Sequence, residues 1–241
     1  MRGFRVWGGL ASVAGIFIAL PSGAATVTYC GPNVCYQYDN AQAAVALFGL
    51  PSFVGDSAYF TPTVFEARSA DGVGLHSGTN TDVVDATFVF SKVYTVAPTN
   101  EIASMIAYEE GDYEINYAAG ETHGDLYLRA RGLNNLLEPS LIDTDAVDYI
   151  GSSAGVQLWS MSAALTPAAS LTQLANNLTV TVQNTLAAFT ANTTAGSELA
   201  WMEKKLVLDI TTTNVVPVPA AAWLMGSGIG LLGFVRRRMA A

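Results

Sequence analysis

Through most of its interior this chain alternates hydrophobic and polar residues with a period of two, the pattern of strands that bury one face. Residues 178–184 (LTVTVQN) and 205–211 (KLVLDIT) alternate over their whole length, and residues 87–96 (TFVFSKVYTV) do so in part before the breaker run Ala97-Pro98-Thr99-Asn100. Shorter segments of the same character lie at 102–108, 113–117, 126–130 and 156–161. They are separated by turn signals such as Glu110-Gly111-Asp112 and Gly120, at hairpin-like spacing. Helical periodicity is confined to residues 41–48 (AQAAVALF) and 170–176, about two turns each. A parallel βαβ sheet needs longer helices between its strands, so the pattern predicts an all-β domain: an antiparallel β-sandwich with jelly-roll-like connections.

The two ends break this pattern. At the start, Arg2 and Arg5 precede an uncharged run from Val6 to Leu20, followed by Pro21 and small residues. That is the layout of a secretory signal peptide over residues 1–25, with cleavage between Ala25 and Thr26 and Ala24 as the second choice. As a retained anchor the run is short for a hydrocarbon core of about 30 Å. At the other end, a polar spacer over residues 212–216 leads from a domain spanning 26–211 into VPVPAAAWLMGSGIGLLGFVRRRMAA. The sixteen uncharged residues between Pro219 and Arg236 would form a helix of about 24 Å. That is marginal for a bilayer, helped by snorkelling arginines and by Trp223 at the opposite interface.

Charge follows the same division. All twenty Asp and Glu, but only six of the eleven Lys and Arg, lie between the two terminal segments, which leaves that region at −14. So acidic a domain repels nucleic acid and anionic membrane surfaces, and nucleic-acid partners are excluded on that ground. Cys30 and Cys35 flank Gly31-Pro32-Asn33, turn chemistry that brings two Cα atoms within disulfide reach. An exported compartment favours that bond.

Candidate chemistry in the interior is sparse. Gly151-Ser152-Ser153-Ala154-Gly155 matches the G-x-S-x-G elbow of serine hydrolases, but His76 and His123 both precede Ser153 and a strand-like run follows it. A small-residue turn between strands explains it better. Asp143, Asp145 and Asp148 in IDTDAVD are spaced as Ca²⁺ ligands can be, without the glycine and terminal glutamate of an EF-hand loop. Read without a metal, the run is a solvated acidic loop, so no cofactor is expected and Ca²⁺ is the one candidate. Tyr59, Phe60, Tyr108, Tyr113, Tyr117 and Trp159 are candidate glycan-stacking aromatics, with strand packing the commoner role for most of them.

The C-terminal residues 217–241 resemble a PEP-CTERM sorting domain: the proline motif Pro217-Val218-Pro219, an apolar helix carrying Trp223, and the cluster Arg236, Arg237 and Arg238. Val218 stands where the name-giving glutamate would be. The resemblance covers about 25 residues and implies recognition by an exosortase of Gram-negative bacteria, cleavage near the prolines, and association with exopolysaccharide or biofilm matrix. The expectation is therefore a non-enzymatic exported protein, held transiently in the inner membrane, processed by signal peptidase and exosortase, and delivered to the cell surface or extracellular matrix. A surface-sorted hydrolase and a permanently anchored adhesin are the alternatives.

Overall fold

A computed structural model gives the fold and describes residues 25–153, 155–191 and 198–214. The chain first forms β1 (Thr26–Cys30), β2 (Val34–Asp39), one helical turn α1 (Val45–Phe48), β3 (Ser52–Val54), β4 (Ser57–Phe60), β5 (Glu66–Ala70) and β6 (Val73–Gly74). Four long strands follow: β7 (Thr81–Thr95), β8 (Asn100–Ile115), β9 (Glu121–Gly132) and β10 (Leu141–Ile150). Then come β11 (Gln157–Leu165), a second helical turn α2 (Pro167–Ser170), β12 (Asn177–Phe189), β13 (Leu199–Glu203) and β14 (Lys205–Asn214). The described pairings are antiparallel. They build two sheets: β1-β2-β7-β12-β9-β10, and β3-β4-β14-β8-β13-β5-β6 with β11 added beside β8.

Alternation assigns the faces. In β12 the side chains of Leu178, Val180, Val182, Leu186 and Ala188 are buried while the residues between them are only partly covered. Leu206, Leu208 and Ile210 of β14 do the same from the other sheet. One end of the core is aromatic. Phe88 packs against Phe60 at 4.8 Å and Phe90 at 5.0 Å between ring centroids, with Phe48 of α1 and Tyr38 around them. Each such buried ring contributes about 1.5–3 kcal/mol through the area it removes from water.

The open edges of the two sheets meet at seams, and carboxylates close them. Along one seam, Asp145 accepts a hydrogen bond from the amide N–H of Ser162 at 2.9 Å, and Asp143 one from that of Ala164 at 2.7 Å. Strand β10 of the first sheet thereby covers the free donors of β11 in the second without a backbone ladder, which suppresses pairing with foreign strands. Asp56, after the β3 edge, accepts from the amides of Asn33 and Val34 at 2.9 and 3.0 Å. The approach is tight there, since a Cβ on Gly31 would sit 2.1 Å from the carbonyl oxygen of Gly55.

A charged cluster lies within the largely apolar interior. Lys204, in the break between β13 and β14, points inward and its Nζ lies 3.1 Å from Oε1 of Glu109 on β8, both side chains being fully buried. The other carboxylate oxygen accepts a hydrogen bond from Nδ2 of Asn184 on β12, in the opposite sheet. Asn184 also donates to the carbonyl of Asp125 at 2.7 Å. The Lys204 ammonium stands 4.3 Å from the ring centroid of Phe48 and 4.0 Å from that of Phe65, a cation–π enclosure.

Several expectations are corrected. Glu110-Gly111-Asp112 is no turn but the interior of β8, and the segment at 102–108 continues through residues 113–115 as one strand that ends at Ile115. Gly111 is there because a Cβ would lie 1.9 Å from the carbonyl oxygen of Glu203 on the neighbouring strand. IDTDAVD is no loop but most of β10, with Asp143 and Asp145 on one face and Asp148 on the other. Helix in the 41–48 segment is confined to Val45–Phe48, and the second helical turn ends where the expected one began. Strand β14 runs to Asn214, paired with Asn100, so the domain passes Thr211 into the expected spacer.

Candidate functional site

The outer face of the first sheet carries a groove of about 470 Å³ across β7, β12, β9 and β10. Its apolar lining comes from Val83, Ile150, Ala187 and Phe189, outward positions that a solvated face would fill with polar groups; Ile150 is 74% exposed. Its polar side is built on His123. In the β9–β10 register His123 stands directly opposite Asp148, while Asp125 lies two residues along β9 on the same face. The geometry follows from the period of a strand.

Both ring nitrogens of His123 are engaged. Nδ1 lies 2.5 Å from Asp148 Oδ1 and Nε2 lies 2.6 Å from Asp125 Oδ2. The hydrogen bond to Asp125, aided by that to Asp148 and opposed by partial burial, pushes the imidazole pKa up to about 9. His123 is therefore an imidazolium at neutral pH, donating from both nitrogens. In that state it offers no lone pair to a metal or to a serine hydroxyl. Its chemistry is that of a fixed cation between two anions beside an apolar floor.

The residues singled out in the sequence are distributed elsewhere. Ser153 follows β10 in a turn, and its hydroxyl donates to the carbonyl of Gly155 at 2.7 Å and accepts from the amide of Ile115 at 3.0 Å. His76 bonds to the buried carboxylate of Asp82 at 2.9 Å. Neither histidine is among the described partners of Ser153. Asp143 and Asp145 bond to the amides of β11, whereas Asp148 points to the opposite face of β10, so the three acids do not converge. Among the described residues no group of three or more His, Cys, Asp or Glu side chains is arranged to hold a metal ion.

Cys30 and Cys35, opposite one another in the β1–β2 pairing, are joined by a disulfide, with Cα atoms 4.0 Å apart. Of the six aromatics, Phe60 and Trp159 are core residues and offer no stacking surface. Trp159 donates its indole N–H to the carbonyl of Glu203 at 3.0 Å. Tyr113 stacks on Tyr149 at 3.9 Å, and Tyr59 and Tyr117 are half-buried, leaving Tyr108 the most exposed of the set. Ala25 is described and Thr26 opens β1, while Pro217, Val218, Pro219, Trp223, Arg236, Arg237 and Arg238 lie outside the described residues. Among the described residues no helix is long and apolar enough to cross a membrane.

The groove's signal was half present in the sequence. His123 and Asp125 are two apart in a strand, hence on one face, but Asp148 joins them only through the register of β10 on β9. No protein-family model matches the chain, and a search of curated proteins finds no match.

Proposed function

We propose that the chain is an exported, non-enzymatic protein of the cell surface or extracellular matrix, whose jelly-roll-like sandwich is released from a signal peptide and a PEP-CTERM-like tail. The observation that carries the reading is the span of the described strands. They run from Thr26 in β1 to Asn214 in β14, so cleavage after Ala25 and near Pro217–Pro219 would leave all of them in one product. The Cys30–Cys35 disulfide suits an oxidising destination. The partner in this reading is matrix exopolysaccharide, and the outer groove is the surface assigned to it. An apolar floor beside a fixed imidazolium and carboxylates offers stacking area and both donors and acceptors to a hydroxylated polymer.

The test is fractionation of producing cells, with and without the exosortase, alongside a His123→Ala variant. Wild-type protein is expected in the surface fraction and in the membrane fraction when the exosortase is missing. The His123→Ala protein should be processed normally but shed into the medium. A wild-type distribution indifferent to the exosortase would refute the sorting reading, and unchanged retention of the variant would remove the groove from it.

A further inference from the structure

We propose that Lys204 and Asn184 are the partners of an intramolecular amide cross-link, formed by the protein itself with Glu109 as the proton carrier, that ties the two sheets together covalently. The reasons are geometric. One carboxylate touches both reacting groups, Oε1 at 3.1 Å from Lys204 Nζ and Oε2 hydrogen-bonded to Asn184 Nδ2. Lys204 and Glu109 belong to one sheet and Asn184 to the other. The amine and the acid are fully buried and the ammonium is enclosed by Phe48 and Phe65, so water does not compete as nucleophile. The carboxamide oxygen Oδ1 of Asn184 is buried and has no hydrogen-bond partner among the described residues. Such an atom needs a reason. Here it is the oxygen that gathers negative charge when an amine adds to Cγ, beside an acid able to supply a proton.

Burial also prepares the charge state. Desolvation raises the Glu109 carboxyl above its usual range and pushes the Lys204 ammonium down to about 8, each against the pull of its partner. Both shifts move the balance from the ion pair toward the neutral amine and carboxylic acid, and the neutral amine is the nucleophile.

The step balances without an oxidant or co-reactant. Nζ passes one proton to Glu109, and its lone pair attacks Cγ of Asn184 to give a tetrahedral centre. Glu109 delivers that proton to Nδ2, the Cγ–Nδ2 bond breaks, and ammonia leaves. The carboxylate then takes a second proton from Nζ, so the products are a secondary amide, one ammonia and a protonated Glu109. One C–N bond is made and one broken, and no atom changes oxidation state. Proximity of this order replaces an encounter in solution and is the main source of rate available to a single-turnover reaction.

The inference does not depend on the sorting reading, since it concerns the folded domain wherever the protein resides. It is tested by mass spectrometry of the purified full chain, fully reduced and digested with a glutamate-specific protease. Cleavage after Glu121, Glu198 and Glu203 puts Asn184 and Lys204 on different peptides. The expected result is a branched species joining them, lighter than their sum by one ammonia, about 17 Da. Lys204→Arg and Glu109→Gln should each abolish it, the latter with Lys204 and Asn184 both present. Separate, unmodified peptides from folded wild-type protein would overturn the proposal, and so would a Lys204–Glu109 link formed with loss of water. A link surviving in Glu109→Gln would overturn the role given to Glu109. Should the variants fail to fold, the wild-type digest alone decides.

Discussion

An imidazole held between two carboxylates binds its proton more tightly in the folded protein than in the unfolded chain. For His123 the ordinary value is 6.5 and the folded value about 9. A raised pKa means that the stabilisation from the two hydrogen bonds is complete below the unfolded value and is lost as pH rises through the folded one. The denaturant midpoint of the protein should therefore fall between pH 6.5 and 9, and Asp148→Asn should flatten that part of the profile. A midpoint that is level across this window in the wild type would contradict the arrangement. The site was legible to different depths at this scale. The shared face of His123 and Asp125 can be read from a spacing of two, and Asp148 cannot, because nothing near it in sequence fixes which residue of β9 it meets. Lys204, Glu109 and Asn184 were invisible for the same reason, being 95 and 75 positions apart along the two contacts that join them.

Strand existence was the most readable property of the elements, and strand ends the least. The alternation at 178–184 and 205–211 lies inside β12 and β14, where one face is buried and the other is not. Turn chemistry misled where glycine served a contact instead of a bend. Gly111 follows two glutamates and precedes an aspartate, yet it sits mid-strand because the backbone of Glu203 leaves no room for a side chain. The acids of β10 misled in the same way, since Asp143 and Asp145 occupy inward positions that an apolar residue would ordinarily fill. Their use is to satisfy the outward amides of β11, which a sheet edge leaves without partners. Asp145→Ala should cost about 0.5–1.5 kcal/mol, the net worth of its hydrogen bond to the exposed N–H of Ser162. It should also promote concentration-dependent association through the uncovered edge. Equilibrium unfolding and sedimentation measure the two effects, and a variant as stable and as monodisperse as the wild type would show that the seam is closed by something else.

For the whole molecule, the acidity of the central region looks different once its acids are placed. Asp39, Asp56, Asp71, Asp82, Glu101, Glu138, Asp143 and Asp145 each accept from a backbone amide, so much of the charge that suggests cation bridging already serves internal structure. The fold closes its edges with carboxylates, pins its first hairpin with a disulfide, and in the account given above joins its two sheets through Lys204 and Asn184. Each device suits a domain that works outside the cell, where a damaged protein is not replaced by refolding machinery. All of that presupposes that the domain is exported and freed from its terminal segments. The direct measurement is the intact mass of the protein recovered from the surface of its own cells. The account predicts a species that begins at Thr26 and ends near Pro217–Pro219. A mass that retains residues 1–25 or the arginine-ended tail would contradict it.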